Sequence, residues 1–160
     1  MKEILDIKSI KTAFAVLLCM LVFQGLHREY PFYACIAAVI CMQGGPDESV
    51  TIGKNRMIGT FVGGTVGYLV SLLHMHSILL TALGIVIVAS ICQWIHKNGS
   101  ASIACIVFLA IMTNLKGTAP HVYAINRMID TYIGILLAVL VNKGMIIERT
   151  SQFLQGLKQK

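Results

Sequence analysis

Charge is what this 160-residue chain has least of. Only 12% of its residues are Asp, Glu, Lys or Arg while 56% are hydrophobic, and most of the charge falls in breaks between apolar stretches. So little polar surface speaks against a water-soluble all-helical globule, the minor alternative, and points to a polytopic membrane protein. Acid is scarcer than base. Asp47 and Glu48 are neighbours in a break with no defined partner, so no carboxylate pair is set up for acid–base work. There is no HExxH metal pattern, no GxSxG nucleophile elbow and no complete GxxxxGK[ST] phosphate loop, since Gly53-Lys54 lacks both the glycine spacing and the following hydroxyl. No catalytic constellation, metal or cofactor is therefore expected. His74 and His76, two apart in a loop, make no metal site by themselves. Cys19, Cys35, Cys41, Cys92 and Cys105 lie within apolar runs, and an odd number without short paired spacings excludes a disulfide framework, leaving small apolar packers. No basic stripe interleaved with aromatics speaks for nucleic acid. The alternating pattern of a membrane barrel is missing too.

What is present is a series of six apolar runs: Thr12 to Leu26, Tyr30 to Gln43, Met57 to Leu73, Ser77 to Ile95, Ser100 to Leu115 and Met128 to Val141. Several fall short of the roughly 20 residues of a full span, and flanking Lys, Arg and aromatic side chains would extend them to the interface. Trp94 and the tyrosines near the run ends read as such anchors. The expected fold is all-α, a six-transmembrane-helix bundle over residues 1–143 with a short cytoplasmic tail at 144–160. No small-residue cleavage site ends the first run, so that helix is expected to remain a span. With the N-terminus inside, Lys2, Lys8, Lys11, Lys54, Arg56, Lys97, Lys143, Arg149, Lys158 and Lys160 fall on the cytoplasmic side. Arg28, Lys116 and Arg127 remain opposite, a bias that places both termini in the cytoplasm and explains the formal net charge of +6.

One tetrapeptide occurs twice. Asn55-Arg56-Met57-Ile58 returns 71 residues later as Asn126-Arg127-Met128-Ile129, each followed by a threonine and a glycine in the same register: Arg56, Thr60, Gly63 and Arg127, Thr131, Gly134. Positions three and four apart are helical neighbours, so each set shares one helix face. The breaks Gln43-Gly44-Gly45-Pro46-Asp47, Asn98-Gly99-Ser100 and Lys116-Gly117-Thr118-Ala119-Pro120 divide the chain into three helices plus three, with the signature opening the third and the sixth. Asp47, Glu48, Lys54 and Arg56 are read as the polar connection leading into the third helix. An odd number of crossings per half would run the two signatures in opposite directions, which leaves open an inverted three-plus-three repeat or a local recurrence.

The two copies differ in their neighbours. Gly59, Gly63 and Gly67 form a GxxxGxxxG face with Thr60 and Gly64 beside it, suited to close backbone approach within the chain or across a dimer, or to the thin wall of a conducting path. The sixth helix aligns Asp130, Gly134 and Ala138 there, so an acid stands where the first copy has Gly59. Arg127 and Asp130, three apart, are placed for a local ion pair that fixes the helix, for a gate in which an anion competes for the arginine, or for a proton relay. Arg56 reads either as an anchor to lipid phosphate or as a cavity residue. Gln24 and Gln43 would bond to neighbouring helices or line an aqueous cavity, and Lys116 would be a solvated turn lysine or an external attraction point for an anion.

The stretch Tyr30-Pro31-Phe32-Tyr33-Ala34, Ile36 to Gln43 and Arg56-Met57-Ile58-Gly59-Thr60-Phe61-Val62-Gly63, with Arg127-Met128-Ile129-Asp130-Thr131-Tyr132-Ile133-Gly134 in the second half, resembles the aromatic acid exporter and fusaric-acid-resistance-like membrane proteins. The resemblance covers the six-helix region and implies a multi-pass transport domain of a bacterial inner or plasma membrane, associated with organic anions such as aromatic carboxylates. Related plant malate channels imply a dimer around an anion path. Carried over by resemblance are Pro31, Gln43, Arg56, Gly59, Thr60, Gly63, Arg127, Asp130, Thr131 and Gly134. Beside larger relatives, which carry a substantial soluble domain after the last span, this chain is expected to have only the short tail there. Ile146, Ile147, Phe153, Leu154 and Leu157 would give its tail an apolar face, although Gly156 weakens a continuous helix.

The leading expectation is a lipid-embedded, homodimeric or higher homo-oligomeric transporter of a small organic anion. Arg56, Thr60, Arg127, Asp130 and Thr131 would form the path, and Gly59, Gly63, Gly64, Gly67 and Gly134 the packing seams. A membrane scaffold and a ligand-capture module of a larger transporter are the alternatives.

Overall fold

The computed structural model describes residues 7–28, 31–73, 77–113 and 119–158, with 145–158 as backbone. His74, His76 and Lys116 lie outside the described residues, as do Glu29 and Tyr30. Among those described there are six α-helices and no strand: α1 Ile7–Gly25, α2 Phe32–Cys41, α3 Pro46–Ser71, α4 Ile78–Trp94, α5 Ala101–Met112 and α6 Pro120–Lys158. A single 3₁₀ turn, Asn98–Ser100, leads into α5.

Two helices start earlier than the apolar runs suggest. α3 opens at Pro46, so Asp47, Glu48, Lys54 and Asn55 form its first turns and Arg56 is its eleventh residue. Proline suits the first helical position, and carboxylates in the first turn complement the positive end of the helix dipole. Glu48 also reaches back to accept a hydrogen bond of 2.9 Å from the Gly45 amide, half of a capping box. α6 opens on Pro120 in the same way, which puts Arg127 two turns inside. The signatures are therefore helix interiors, not helix starts, and the polar connection before Met57 is helix. At its far end α6 runs unbroken through Gly144 to Lys158. The side chains of Ile146, Ile147, Phe153, Leu154 and Leu157 lie outside the described set.

Lys8–Gly25 of α1 and Pro120–Gly144 of α6 are long and apolar enough to cross a bilayer. α2, α4 and α5 are apolar but shorter, at 10, 17 and 12 residues. Exposure follows the reverse of a water-soluble pattern. Ile78 is 89% exposed and Leu79, Leu83, Leu17 and Leu21 are more than half exposed, whereas Arg56, Arg127 and Asp130 are buried to within 5%. A surface of leucine and isoleucine over an interior that holds the charge suits lipid.

Two compact units divide the chain. The first comprises residues up to Ile52 together with Ile133 onward. In it α1 buries Ala15, Cys19 and Phe23, and α2 buries Ala34, Ala37, Ala38 and Cys41. Gly134 of α6 meets α2 so closely that a Cβ would overlap the Ala34 backbone. Ser49 ties the α2–α3 turn to α6: its hydroxyl lies 2.6 Å from the Cys41 carbonyl and accepts a 2.7 Å bond from the Asn142 amide.

The second unit runs from Gly53 to Tyr132. Val88 and Cys92 of α4 and Ala104, Phe108 and Met112 of α5 form its core. Gly84 makes room for the Phe108 ring, and Gly63 of α3 packs where a Cβ would overlap the Ala104 backbone. The two close contacts correspond. Ala34-Cys35-Ile36 recurs as Ala104-Cys105-Ile106, and each alanine backbone abuts one of the two aligned glycines, Gly134 and Gly63.

Candidate functional site

All five path residues of the sequence reading, Arg56, Thr60, Arg127, Asp130 and Thr131, belong to the second unit and all are buried. α3 and the first part of α6 position them. Tyr68 and His121 stack edge-on with ring centroids 6.1 Å apart. Four residues back along α3, a Cβ on Gly64 would stand 3.4 Å from the Ala124 Cβ, three residues forward along α6. The two segments are therefore antiparallel. Continuing that register puts Thr60 level with Arg127, and Arg56 level with Thr131. The helical period keeps Thr60 and Arg56 near the Gly64 face, and Arg127 and Thr131 near the Ala124 face. Each arginine of one signature thus lies opposite the threonine of the other.

α5 reaches the same level. A Cβ on Gly59 would lie 2.5 Å from the Ser100 carbonyl oxygen and 3.0 Å from the Ile103 Cβ, so the start of α5 rests on α3 between Arg56 and Thr60. Asn55, the first residue of the signature, packs its amide beside Gly99 in the 3₁₀ turn. A polar layer results, about one and a half helical turns thick, or ~8 Å. It contains Arg56, Thr60, Ser100, Arg127, Asp130 and Thr131, each no more than 5% exposed.

The hydroxyls of this layer behave unlike four threonines elsewhere among the described residues. Thr12, Thr51, Thr81 and Thr113 each donate to the carbonyl four residues earlier, at 2.8, 3.4, 3.1 and 2.8 Å. Thr60 Oγ1, Thr131 Oγ1 and Ser100 Oγ have no hydrogen-bond partner among the described residues, although all three are buried. An unsatisfied buried hydroxyl costs about 1–3 kcal/mol. The layer also holds two guanidiniums against one carboxylate, and these are the buried ionic groups among the described residues. Its formal charge is +1.

Of the seam glycines, Gly59, Gly63 and Gly67 all face α5, at Ser100, Ala104 and Ile111, so the GxxxGxxxG face is filled within the chain. Gly64 faces α6 with ordinary van der Waals room, and Gly134 faces α2 in the first unit. Gln43, in the first unit, lines a cleft of about 540 Å³ with Lys8, Ser9, Thr12, Ala13 and Met42. Gln24 is exposed on α1, and Trp94 at the end of α4.

Sequence reasoning missed Ser100, Ser49 and Asn142. The signal for Ser100 was its place just before an apolar helix, where serine ordinarily caps the first turn. It makes no such cap here; in the 3₁₀ turn before α5 the Ser100 amide bonds to Lys97 O and the Ala101 amide to Asn98 O. Among the described residues no group of three or more His, Cys, Asp or Glu is placed to hold a metal ion.

No curated protein and no solved structure matches the chain. Residues 17–141, from the middle of α1 to the end of the apolar part of α6, match the fusaric acid resistance protein-like family. That span contains both signatures, the whole polar layer and both close glycine contacts, and the chain belongs to this family of membrane proteins of the transport and resistance type.

Proposed function

We propose that the protein is a membrane transporter that passes a small organic anion such as an aromatic carboxylate, and that the buried polar layer of α3, α5 and α6 is where the anion is held. The observation that carries the reading is the pair of buried, unbonded hydroxyls of Thr60 and Thr131 on the facing segments of α3 and α6, whose register sets each level with an arginine of the other signature. A carboxylate accepts several hydrogen bonds at once and offsets positive charge, which is what such a layer asks for. Asp130 then holds the charge of the empty layer to +1 and competes with the anion for Arg127. Intramembrane ionisable groups are expensive, so three in one layer are better explained by passage of an ion than by packing.

Family membership and the nine-to-two bias of the Lys and Arg that remain once the buried Arg56 and Arg127 are set aside support a multi-pass protein of a bacterial inner or plasma membrane with both termini inside. The six helices would then be six crossings over 1–143, with 144–160 prolonging α6 into the cytoplasm. Homo-oligomerisation would let copies complete a path. The scaffold reading loses its main support, because the glycine face offered to a partner is occupied by α5.

The test is flux. Purified protein in proteoliposomes should carry carboxylates down a gradient, and Arg127→Gln should lower the rate about tenfold or more at matched levels of folded protein. Wild-type vesicles as tight as protein-free ones towards a panel of aromatic and aliphatic carboxylates would end the transporter reading.

A further inference from the structure

We infer that the cleft between the start of α1 and the end of α2 is a phospholipid site, in which Lys8 meets the phosphate of an anionic lipid while Ala13 and Met42 take the first part of its acyl chains. The site lies wholly within the first unit. It goes beyond the transport reading, because it requires that α1 cross the bilayer and nothing of what is carried.

The cleft follows from a mismatch of helix lengths. α1 and α2 meet where the Cys19 thiol lies 3.9 Å from the Ala34 carbonyl oxygen. From that contact α1 runs back 12 residues to Ile7, whereas α2 runs on for only seven, to Cys41. At the helical rise per residue these lengths are roughly 18 Å and roughly 10 Å, so α1 overhangs the end of α2 by roughly 8 Å. Met42 and Gln43 turn in beside the overhang and leave a cleft of about 540 Å³, lined by Lys8, Ser9, Thr12, Ala13, Met42 and Gln43. That volume is ample for a headgroup and the first methylenes beneath it.

Polarity within the cleft is graded along α1. Lys8 and Ser9, both exposed, stand at its outer end. Thr12 spends its hydroxyl proton on the Lys8 carbonyl at 2.8 Å and offers no donor, and Ala13 lies roughly 8 Å deeper than Lys8 along the axis. Met42, only 2% exposed, lines the cleft as an apolar, adaptable side chain. Lys8 opens the stretch Lys8–Gly25 that is long and apolar enough to cross a bilayer. It therefore falls at headgroup depth, where its stem lets the ammonium reach phosphate, and Ala13 falls where hydrocarbon begins. The exposed Gln43 amide adds neutral donors to phosphate oxygens. A cation and donors above apolar side chains fit an amphiphile with its anionic end outward, whereas a free small anion would use the outer half alone. Basic pockets between transmembrane helices take lipid headgroups in this way. A headgroup ammonium would repel Lys8, which favours an anionic lipid over a zwitterionic one.

Full-length protein in a non-ionic detergent is titrated with phosphatidylglycerol, with phosphatidylcholine of the same chains and with inorganic phosphate. Native mass spectrometry counts bound lipid, and the thermal midpoint is recorded for each mixture. Phosphatidylglycerol should bind at least about fivefold more tightly than phosphatidylcholine and raise the midpoint, and inorganic phosphate at the same concentration should leave it unmoved. Lys8→Gln should weaken phosphatidylglycerol about fivefold, the weight of one lysine beside an anionic lipid, and Lys8→Arg should keep the affinity. Ala13→Leu fills the cleft from an exposed position without changing charge, and should weaken binding about as much. Lys11→Gln removes the same charge from the same helix at a residue that does not line the cleft, and should cost less than about twofold. Equal losses in Lys8→Gln and Lys11→Gln, or full binding by Ala13→Leu, would mean that lipid gathers along the basic end of α1 at large, and either result overturns the site. Equal affinity for the two lipids overturns the anionic preference, and a midpoint raised as much by inorganic phosphate overturns lipid as the source. Phosphatidylglycerol left unbound by the wild type refutes the inference and leaves the transport reading standing on its flux assay.

Discussion

Two threonines 71 positions apart share three features: a buried place on a helix face, an arginine four residues earlier on their own helix, and, by the register of α3 and α6, the arginine of the other signature level with them. Packing alone does not favour threonine there, since valine has the same shape and no hydroxyl to leave unsatisfied. Thr60→Val and Thr131→Val should therefore each raise the stability of the ligand-free protein, by ~1 kcal/mol, while slowing carboxylate flux several-fold. Differential scanning fluorimetry and the vesicle assay read the two effects separately. A loss of stability with unchanged flux would return these residues to structure. Asp130 differs in kind. Taking it away would raise the buried formal charge from +1 to +2, so its carboxylate limits self-repulsion in the layer whatever else it does at a gate.

At the scale of the helices, the glycines sort by what a methyl group would meet. Gly63 and Gly134 abut backbone, which cannot yield, whereas Gly64 has ordinary contact distance to Ala124. Gly63→Ala and Gly134→Ala should each destabilise the folded protein by about 2 kcal/mol or more, and Gly64→Ala should be close to neutral or gain slightly from helix propensity. Melting of the three variants in one detergent checks the order, and equal effects would mean that the contacts relax. Helix packing was legible in the sequence because small residues at a spacing of four have few other uses in an apolar run. Which helix fills the seam was not, since spacing names a face and no partner. Helix boundaries were hidden for a different reason. Asp47 to Asn55 are polar enough to pass for a loop, yet helix formation depends on capping and backbone hydrogen bonds as well as hydropathy, and the Pro46, Glu48 and Ser49 arrangement supplies both. That hidden stretch carries Arg56 inside. Ser100 stayed out of sight similarly, because its position before an apolar helix reads as a cap and only the structure shows its hydroxyl making no cap bond.

The whole chain shows a regularity that neither half has alone. The Ala-Cys-Ile triplet on α2 is packed by α6, and the same triplet on α5 is packed by α3, so the closing helix of each half of the sequence lies on the central helix of the other. Two cysteines recur in the same way: Cys19 and Cys92 are fully buried on the helices that precede each triplet. An inverted three-plus-three repeat with exchanged third helices would produce this pattern, and it has a consequence for folding. The segment 1–73 made alone leaves Ala34 without its glycine partner, and 77–160 made alone leaves Ala104 without its own, with a flat small-residue surface open to lipid in both cases. Van der Waals contact between such surfaces drives helix association in a bilayer, so each segment should be unstable singly and the two should associate when co-expressed. Co-purification of one segment through a tag on the other, with carboxylate flux restored in vesicles, is the expected outcome. The segment 1–73 accumulating as a stable monomer with its own α3 closed on α2 would show that the exchange is not required.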